Sequence, residues 1–130
     1  MLDRLFILQR TDIFGGLPDN VLTSLATYLD DVNVEEGETI FRKGDIGKYM
    51  FIVVDGTMRI HDGETTLAIL GPGHVFGEMA VLDSEIRSAS ATASEECRLL
   101  RLDQDLLYEV MAGNADVSRG IIDVLLERFQ

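Results

Sequence analysis

Cysteine is nearly absent: Cys97 is the only one. A single thiol excludes an intramolecular disulfide framework and a thiolate metal cluster, and it fits a reducing compartment. It lies beside Glu95 and Glu96, and their charge should raise its pKa and dull its reactivity. Lysine is almost as scarce. Of eleven basic residues only Lys43 and Lys48 are lysines, against 23 acidic residues, for a net charge of −12. Nucleic-acid binding needs a basic stripe that releases counterions from phosphate, and the basic residues here are scattered. Direct DNA or RNA binding is therefore not expected, and an anionic membrane surface would repel the chain. Any anionic ligand must be captured by local geometry against the overall field. No apolar run approaches the length of a membrane span. Asp3 and Arg4 interrupt any apolar leader at once, so the cytoplasm is the expected location. His61 and His74 are the only histidines. A metal site wants two or three histidines converging with a carboxylate, so none is expected. No nucleophile–base spacing stands out, and no catalysis is expected.

What is present suits one folded domain. The chain has 130 residues, 46% of them hydrophobic, and a chain of that size buries roughly two thirds of its unfolded surface. It divides into three blocks by hydrophobic period. Residues 1–30 read as helical. Leu17-Pro18-Asp19-Asn20 is a helix start, and Val21, Leu22, Leu25, Tyr28 and Leu29 make one apolar stripe. Residues 2–13 read as a short helix before it. Residues 32–102 read as short strands at 39–41, 50–54, 57–60, 66–70 and 98–102. Glycines punctuate them, with Asp55-Gly56 and Asp62-Gly63 as the strongest turns. Residues 103–130 return to helix, capped by Asp103 and broken at Gly113-Asn114. Ile121, Ile122, Val124, Leu125 and Phe129 form a second apolar face there. The expected fold is α+β and mainly β. It is an antiparallel β-roll, of jelly-roll or barrel type, flanked by an N-terminal helix and a C-terminal helix pair. Met50, Met58, Met79 and Met111 are expected in core packing. Asp30-Asp31, Glu35-Glu36 and Glu95-Glu96 are expected to be solvated pairs in turns.

The informative stretch is residues 71–90. Gly77 permits close approach of backbone to a ligand. Residues 78–82 suit one helical turn whose N–H groups point at an anion. Arg87, nine residues after Glu78, supplies a forked cation that matches phosphate. Ser88 adds a hydroxyl. A carboxylate only accepts hydrogen bonds, so Glu78 suits hydroxyl donors such as those of a ribose. An anion clamp beside a hydroxyl acceptor fits a ribose-phosphate. Asp83 and Glu85 add two negative charges between the clamp residues. Taken by spacing alone, a Glu and an Arg nine residues apart also fit a plain surface ion pair.

Gly77-Glu78-Met79-Ala80 followed by Arg87-Ser88-Ala89-Ser90 resembles the phosphate-binding cassette of the cyclic-nucleotide-binding domain family. Gly37-Glu38-x-Ile40-Phe41, Gly44-Asp45-x-Gly47, Met50-Phe51-Ile52-Val53, Gly56-x-Met58-x-Ile60 and Leu70-Gly71-x-Gly73-x-x-Phe76-Gly77-Glu78 follow the family's strand and turn pattern in order. The resemblance implies that Glu78 accepts the ribose 2′-OH and that Arg87 pairs with the exocyclic phosphate oxygens. The Ala80 N–H and Ser88 would complete the cradle, with Met79 and Ala89 beside them. Ile60, Leu67, Ala68 and Leu70 would line the sugar and base pocket, and Arg128 would reach over the base from the last helix. The implied ligand is cAMP or cGMP, with no other cofactor and no metal. An effector domain or partner protein would carry the output. Neither a helix-turn-helix segment nor anything like a kinase-inhibitor segment or channel pore is seen in these residues. The rival expectation, from a different class, is a structural or interaction domain that keeps the roll and binds no nucleotide.

Overall fold

The run at residues 50–54 is apolar without alternation, which marks a strand covered on both faces. The computed structural model describes residues 2–11, 13–77, 86–115, 118–119, 122–123 and 126. Two helices come first, α1 (Leu2–Gln9) and α2 (Asp19–Tyr28). Eight strands follow: β1 (Asp30–Val34), β2 (Thr39–Phe41), β3 (Tyr49–Asp55), β4 (Met58–Asp62), β5 (Thr65–Leu70), β6 (Val75–Phe76), β7 (Ser90–Ala93) and β8 (Cys97–Asp103). Helix α3 (Gln104–Ala112) comes after them. The strands form two antiparallel sheets, in the orders β1-β8-β3-β6 and β2-β7-β4-β5. The result is the expected antiparallel β-roll with helices packed on its outside.

Strands β3 and β8 separate two cores. Met50, Ile52, Leu100 and Leu102 face the helices, where they meet Leu8, Phe14, Leu22, Leu25, Leu29 and Leu107. Their neighbours Phe51, Val53, Cys97 and Leu99 face into the roll, against Val34, Met58, Phe76, Ala91 and Ala93. Side chains alternate along a strand, so only a sequence apolar at every position can serve both cores. The helix stripe is buried as the period predicts, except at Tyr28, which is 63% exposed.

Local signals end the elements where the sequence indicates. Asp103 caps α3, its carboxylate accepting from the Asp105 N–H at 2.7 Å. Pro18, by contrast, occupies the N-cap of α2 itself and supplies no side-chain bond. Only its carbonyl is used, accepting from Val21 and Leu22. Beyond Gly113, residues 115, 118, 119, 122, 123 and 126 have helical backbone. Ile122 is 54% exposed. Ile121, Val124, Leu125, Arg128 and Phe129 lie outside the described residues.

Asp30 and Asp31 correct an expectation. They are exposed, as expected, but they lie in no turn: they start β1 and tie that edge strand to β8. Asp30 bonds Arg101 at 3.1 Å, and Asp31 bonds both Arg98, at 3.0 Å, and Arg4. Arg4 also donates to the Ala26 and Leu29 carbonyls at 2.9 and 2.7 Å, which fastens α1 to the end of α2. These arginines hold the Asp31 carboxyl below its usual range, Arg4 most strongly and against the opposing effect of burial. A depressed folded-state pKa gives stability that is full above the unfolded value and is lost as pH falls through the folded one. Asp31 is partly exposed, so Asp31→Asn should lower stability by only about 0.5–1 kcal/mol at neutral pH. Urea titrations repeated in acid, below the carboxylate range, should show that difference vanish. A difference that persisted there would mean that packing, and not charge, is lost.

Candidate functional site

Arg87 is the centre of the candidate site. It is only 6% exposed. The turn between β2 and β3 grips its backbone: the Arg87 N–H donates to the Asp45 carbonyl at 2.6 Å, and its carbonyl accepts from the Gly44 N–H at 2.9 Å. Gly44 reaches this position with φ +98°. The turn is itself tied, the Arg42 N–H donating to the Asp45 carboxylate at 2.9 Å. An isolated bridge pairs Ile46 with Ile86 alongside.

The side chain is held as firmly. Nη1 donates to the Gly77 carbonyl at 2.9 Å and Nη2 to the Tyr49 carbonyl at 2.6 Å. The guanidinium carbon lies 4.1 Å from the centre of the Phe41 ring. Nε is buried and has no hydrogen-bond partner among the described residues. Burial pushes the guanidinium pKa down, and the charge of Asp45 opposes that effect.

Gly77 has a structural role beside the one its motif suggested. Its φ is +81°, and a Cβ there would lie 2.7 Å from Arg87 Nη1 and 3.2 Å from the Tyr49 carbonyl oxygen. The bare backbone is what lets the guanidinium lie against it.

The other expected residues divide into four groups. Ser88 is exposed and Ala89 half-buried, both in the bend between Arg87 and β7. Ile60, Ala68 and Leu70 are half-buried on β4 and β5; Ile60 pairs with Ala68 and Leu70 with Met58. Ile60 and Leu70 pack against the core inside the roll. Leu67 stands apart from these three. The register steps from His61↔Thr66 to Ile60↔Ala68, leaving Leu67 unpaired in a bulge, and it is 58% exposed. Glu78, Met79, Ala80, Asp83, Glu85 and Arg128 lie outside the described residues. The sequence reading missed Phe41, Tyr49 and Asp45 as holders of Arg87. The available signal was Gly44-Asp45-x-Gly47, whose spacing marks a tight turn without saying what it grips.

The remaining candidates are structural. The Cys97 thiol donates to the Thr57 and Glu95 carbonyls, both at 3.1 Å. Its pKa is raised, as expected, but desolvation is the main cause and the charge of Glu95 the least. His61 bonds the Gly63 carbonyl and the Thr92 hydroxyl, and His74 bonds the Gly71 carbonyl.

With this geometry in place, comparison with known proteins decides the family. The model of the cyclic nucleotide-binding domain matches residues 31–114. The chain belongs to the cyclic nucleotide-binding domain family. The domain is 33% identical over 129 residues to a CRP-like cAMP-activated global transcriptional regulator of Mycobacterium tuberculosis, covering 95% of this chain. It spans 58% of that relative's length. Among solved structures, the Catabolite Activator Protein of Thermus thermophilus superposes with a TM-score of 0.83 and 33% identity, over 92% of this chain and 58% of the other. The regulatory domain of Toxoplasma gondii PKA, crystallised with cAMP, superposes with a TM-score of 0.78 and 27% identity, over 84% of this chain and 43% of the other. These are regulators and binding domains. Within the described residues of this domain, no helix is long and apolar enough to cross a membrane.

Proposed function

We propose that this domain is a sensor that binds a cyclic mononucleotide, cAMP or cGMP, and carries no catalytic step. The observation that carries the reading is the buried Arg87 Nε–H, which has no acceptor among the described residues. A buried charged donor without a partner costs about 1–3 kcal/mol, a demand that an anionic oxygen would meet. Arg87 would then hold the exocyclic oxygens through Nε and the remaining Nη hydrogens. Glu78 would accept the ribose 2′-OH, and the Ala80 N–H and Ser88 would complete the phosphate cradle beside Met79 and Ala89. Ile60, Ala68 and Leu70 would line one wall for the sugar and base with Leu67 at the rim, and Arg128 would be the residue over the base. Relatives described as cAMP-activated or crystallised with cAMP support that nucleotide first.

Nucleotide binding would shift the population of two arrangements of the last helix, which an effector domain or partner protein reads. The domain itself would leave nucleic acid alone, because a net charge of −12 offers no counterion release. A second reading has one observation in its favour: both Nη atoms already serve backbone carbonyls. On that reading Arg87 is purely structural and the roll binds no nucleotide.

Calorimetric titration with cAMP, cGMP, 2′-deoxy-cAMP and cyclic dinucleotides separates the two. The sensor reading expects a cyclic mononucleotide to bind at micromolar strength or better, roughly 8 kcal/mol. Ligand at about 100 times its dissociation constant should add ~2.7 kcal/mol of stability. The 2′-deoxy analogue should bind much more weakly, since it leaves Glu78 without its donor. Absence of heat and of thermal stabilisation at millimolar nucleotide would remove the sensor reading.

A further inference from the structure

We infer that Phe41 is a positioning residue for Arg87: its ring fixes the guanidinium plane so that Nε–H remains the free donor of the clamp. The binding half of this inference rests on the proposed sensor reading; the geometric half does not. A guanidinium is planar and its five N–H donors form a rigid fork. The Gly77 and Tyr49 carbonyls take one donor from each Nη. The Phe41 ring covers one face at 4.1 Å. Two in-plane anchors and one covered face leave the group no freedom to turn. A cation over a ring face is held by the ring quadrupole, more strongly when both are out of water.

Phe41 faces the roll only because of an irregularity in its strand. The Thr39 hydroxyl bonds the Thr92 hydroxyl at 2.8 Å. Thr92 lies between Ala91 and Ala93, which face the inner core, so the Thr39–Thr92 pair is on the outer face of the sheet. In a regular strand Phe41 would share that outer face with Thr39. The register instead steps from Thr39↔Thr92 to Phe41↔Ala91, so two residues of β2 oppose one of β7. That bulge brings Ile40 and Phe41 together against the inner core.

The ring is also braced. Phe51 and Phe76 each lie 6.1 Å from Phe41, and they stack on each other at 5.3 Å. Phe76 directly precedes Gly77, whose carbonyl anchors Nη1. One aromatic cluster therefore sets both the covered face and one in-plane anchor of Arg87.

The test uses the whole chain labelled with 15N-arginine, and Phe41→Leu and Phe41→Tyr. In the ligand-free wild type, the Arg87 Nε–H proton should be shifted upfield by the ring and exchange slowly with water, unlike that of exposed Arg42. Phe41→Leu should abolish the upfield shift and Phe41→Tyr should keep it. Calorimetry with cAMP should show binding about tenfold weaker for Phe41→Leu and within about twofold of wild type for Phe41→Tyr. An unshifted, rapidly exchanging Arg87 Nε–H in the wild type overturns the inference without any variant, even if Phe41→Leu does not fold. A folded Phe41→Leu that binds cAMP like wild type also overturns it. If the wild type binds no nucleotide, the sensor reading falls and the resonance alone decides the position of Arg87.

Discussion

Gly77→Ala should destabilise the free protein by about 2.5–5 kcal/mol and weaken nucleotide binding at least about tenfold. Two effects add at this position. A φ of +81° strains any residue with a Cβ, by roughly 1–2 kcal/mol. The new Cβ would also stand 2.7 Å from Arg87 Nη1, so the guanidinium must leave its bond to the Gly77 carbonyl. Hydrogen bonds to charged groups contribute about 1.5–3 kcal/mol. Gly37 provides the control. Its φ is +83°, yet nothing lies within 4 Å of the Cβ it would gain. Gly37→Ala should therefore show the strain alone, about 1–2 kcal/mol. Urea denaturation of the two variants side by side measures the difference. Equal losses would mean that the contact with Arg87 is not what Gly77 protects.

The strands legible in the sequence were those with bulk. β3 and β8 announce themselves because both faces are buried, and β2, β4 and β5 because glycine turns bound them. The strands that stayed hidden lack that signal, each for its own reason. β1 reads Asp-Asp-Val-Asn-Val, an acidic string whose carboxylates are met by Arg98 and Arg101 of β8 and which buries only Val34 in the inner core. β6 has two residues. β7 reads Ser-Ala-Thr-Ala, and its inward residues Ala91 and Ala93 are fully buried yet small. Small inward residues pack in the inner core without announcing a hydrophobic period.

The site was legible in the same uneven way. Gly77 and Arg87 stand out because their side-chain chemistry, or lack of a side chain, is specific. The two carbonyls that hold Arg87 were invisible, since every residue has one and only the fold selects Gly77 and Tyr49. Phe41 was visible as an aromatic in a strand. Its contact with Arg87 depends on a one-residue slip in register, which no pattern of residue types encodes locally. Tyr28 and Leu67 are more exposed than their patterns suggest, for related reasons. The helical stripe is wider than the surface that covers it, and a bulge takes Leu67 out of the ladder.

Arg87→Lys tests whether the proposed clamp residue also holds the fold together. By motif alone, the exchange should weaken phosphate binding and leave the free protein untouched. The structure adds a stability term, because the two Nη atoms join the end of β6 to the start of β3. A lysine carries one nitrogen on a flexible stem and cannot meet both carbonyls with the geometry of a fork. The free protein should therefore lose about 1.5–3 kcal/mol, and nucleotide affinity should fall by a similar amount, roughly ten- to a hundredfold. Urea denaturation and calorimetry read the two losses separately. Stability unchanged in Arg87→Lys would show that the carbonyl bonds contribute nothing net. The double variant with Gly77→Ala supplies the sharper reading. Both substitutions remove the same Nη1–carbonyl contact, so their stability losses should not add. The double variant should fall short of the sum by about 0.5–3 kcal/mol, the range seen for residues in direct contact. Full additivity would separate the two positions energetically, and the close approach at Gly77 would then be packing without consequence for Arg87.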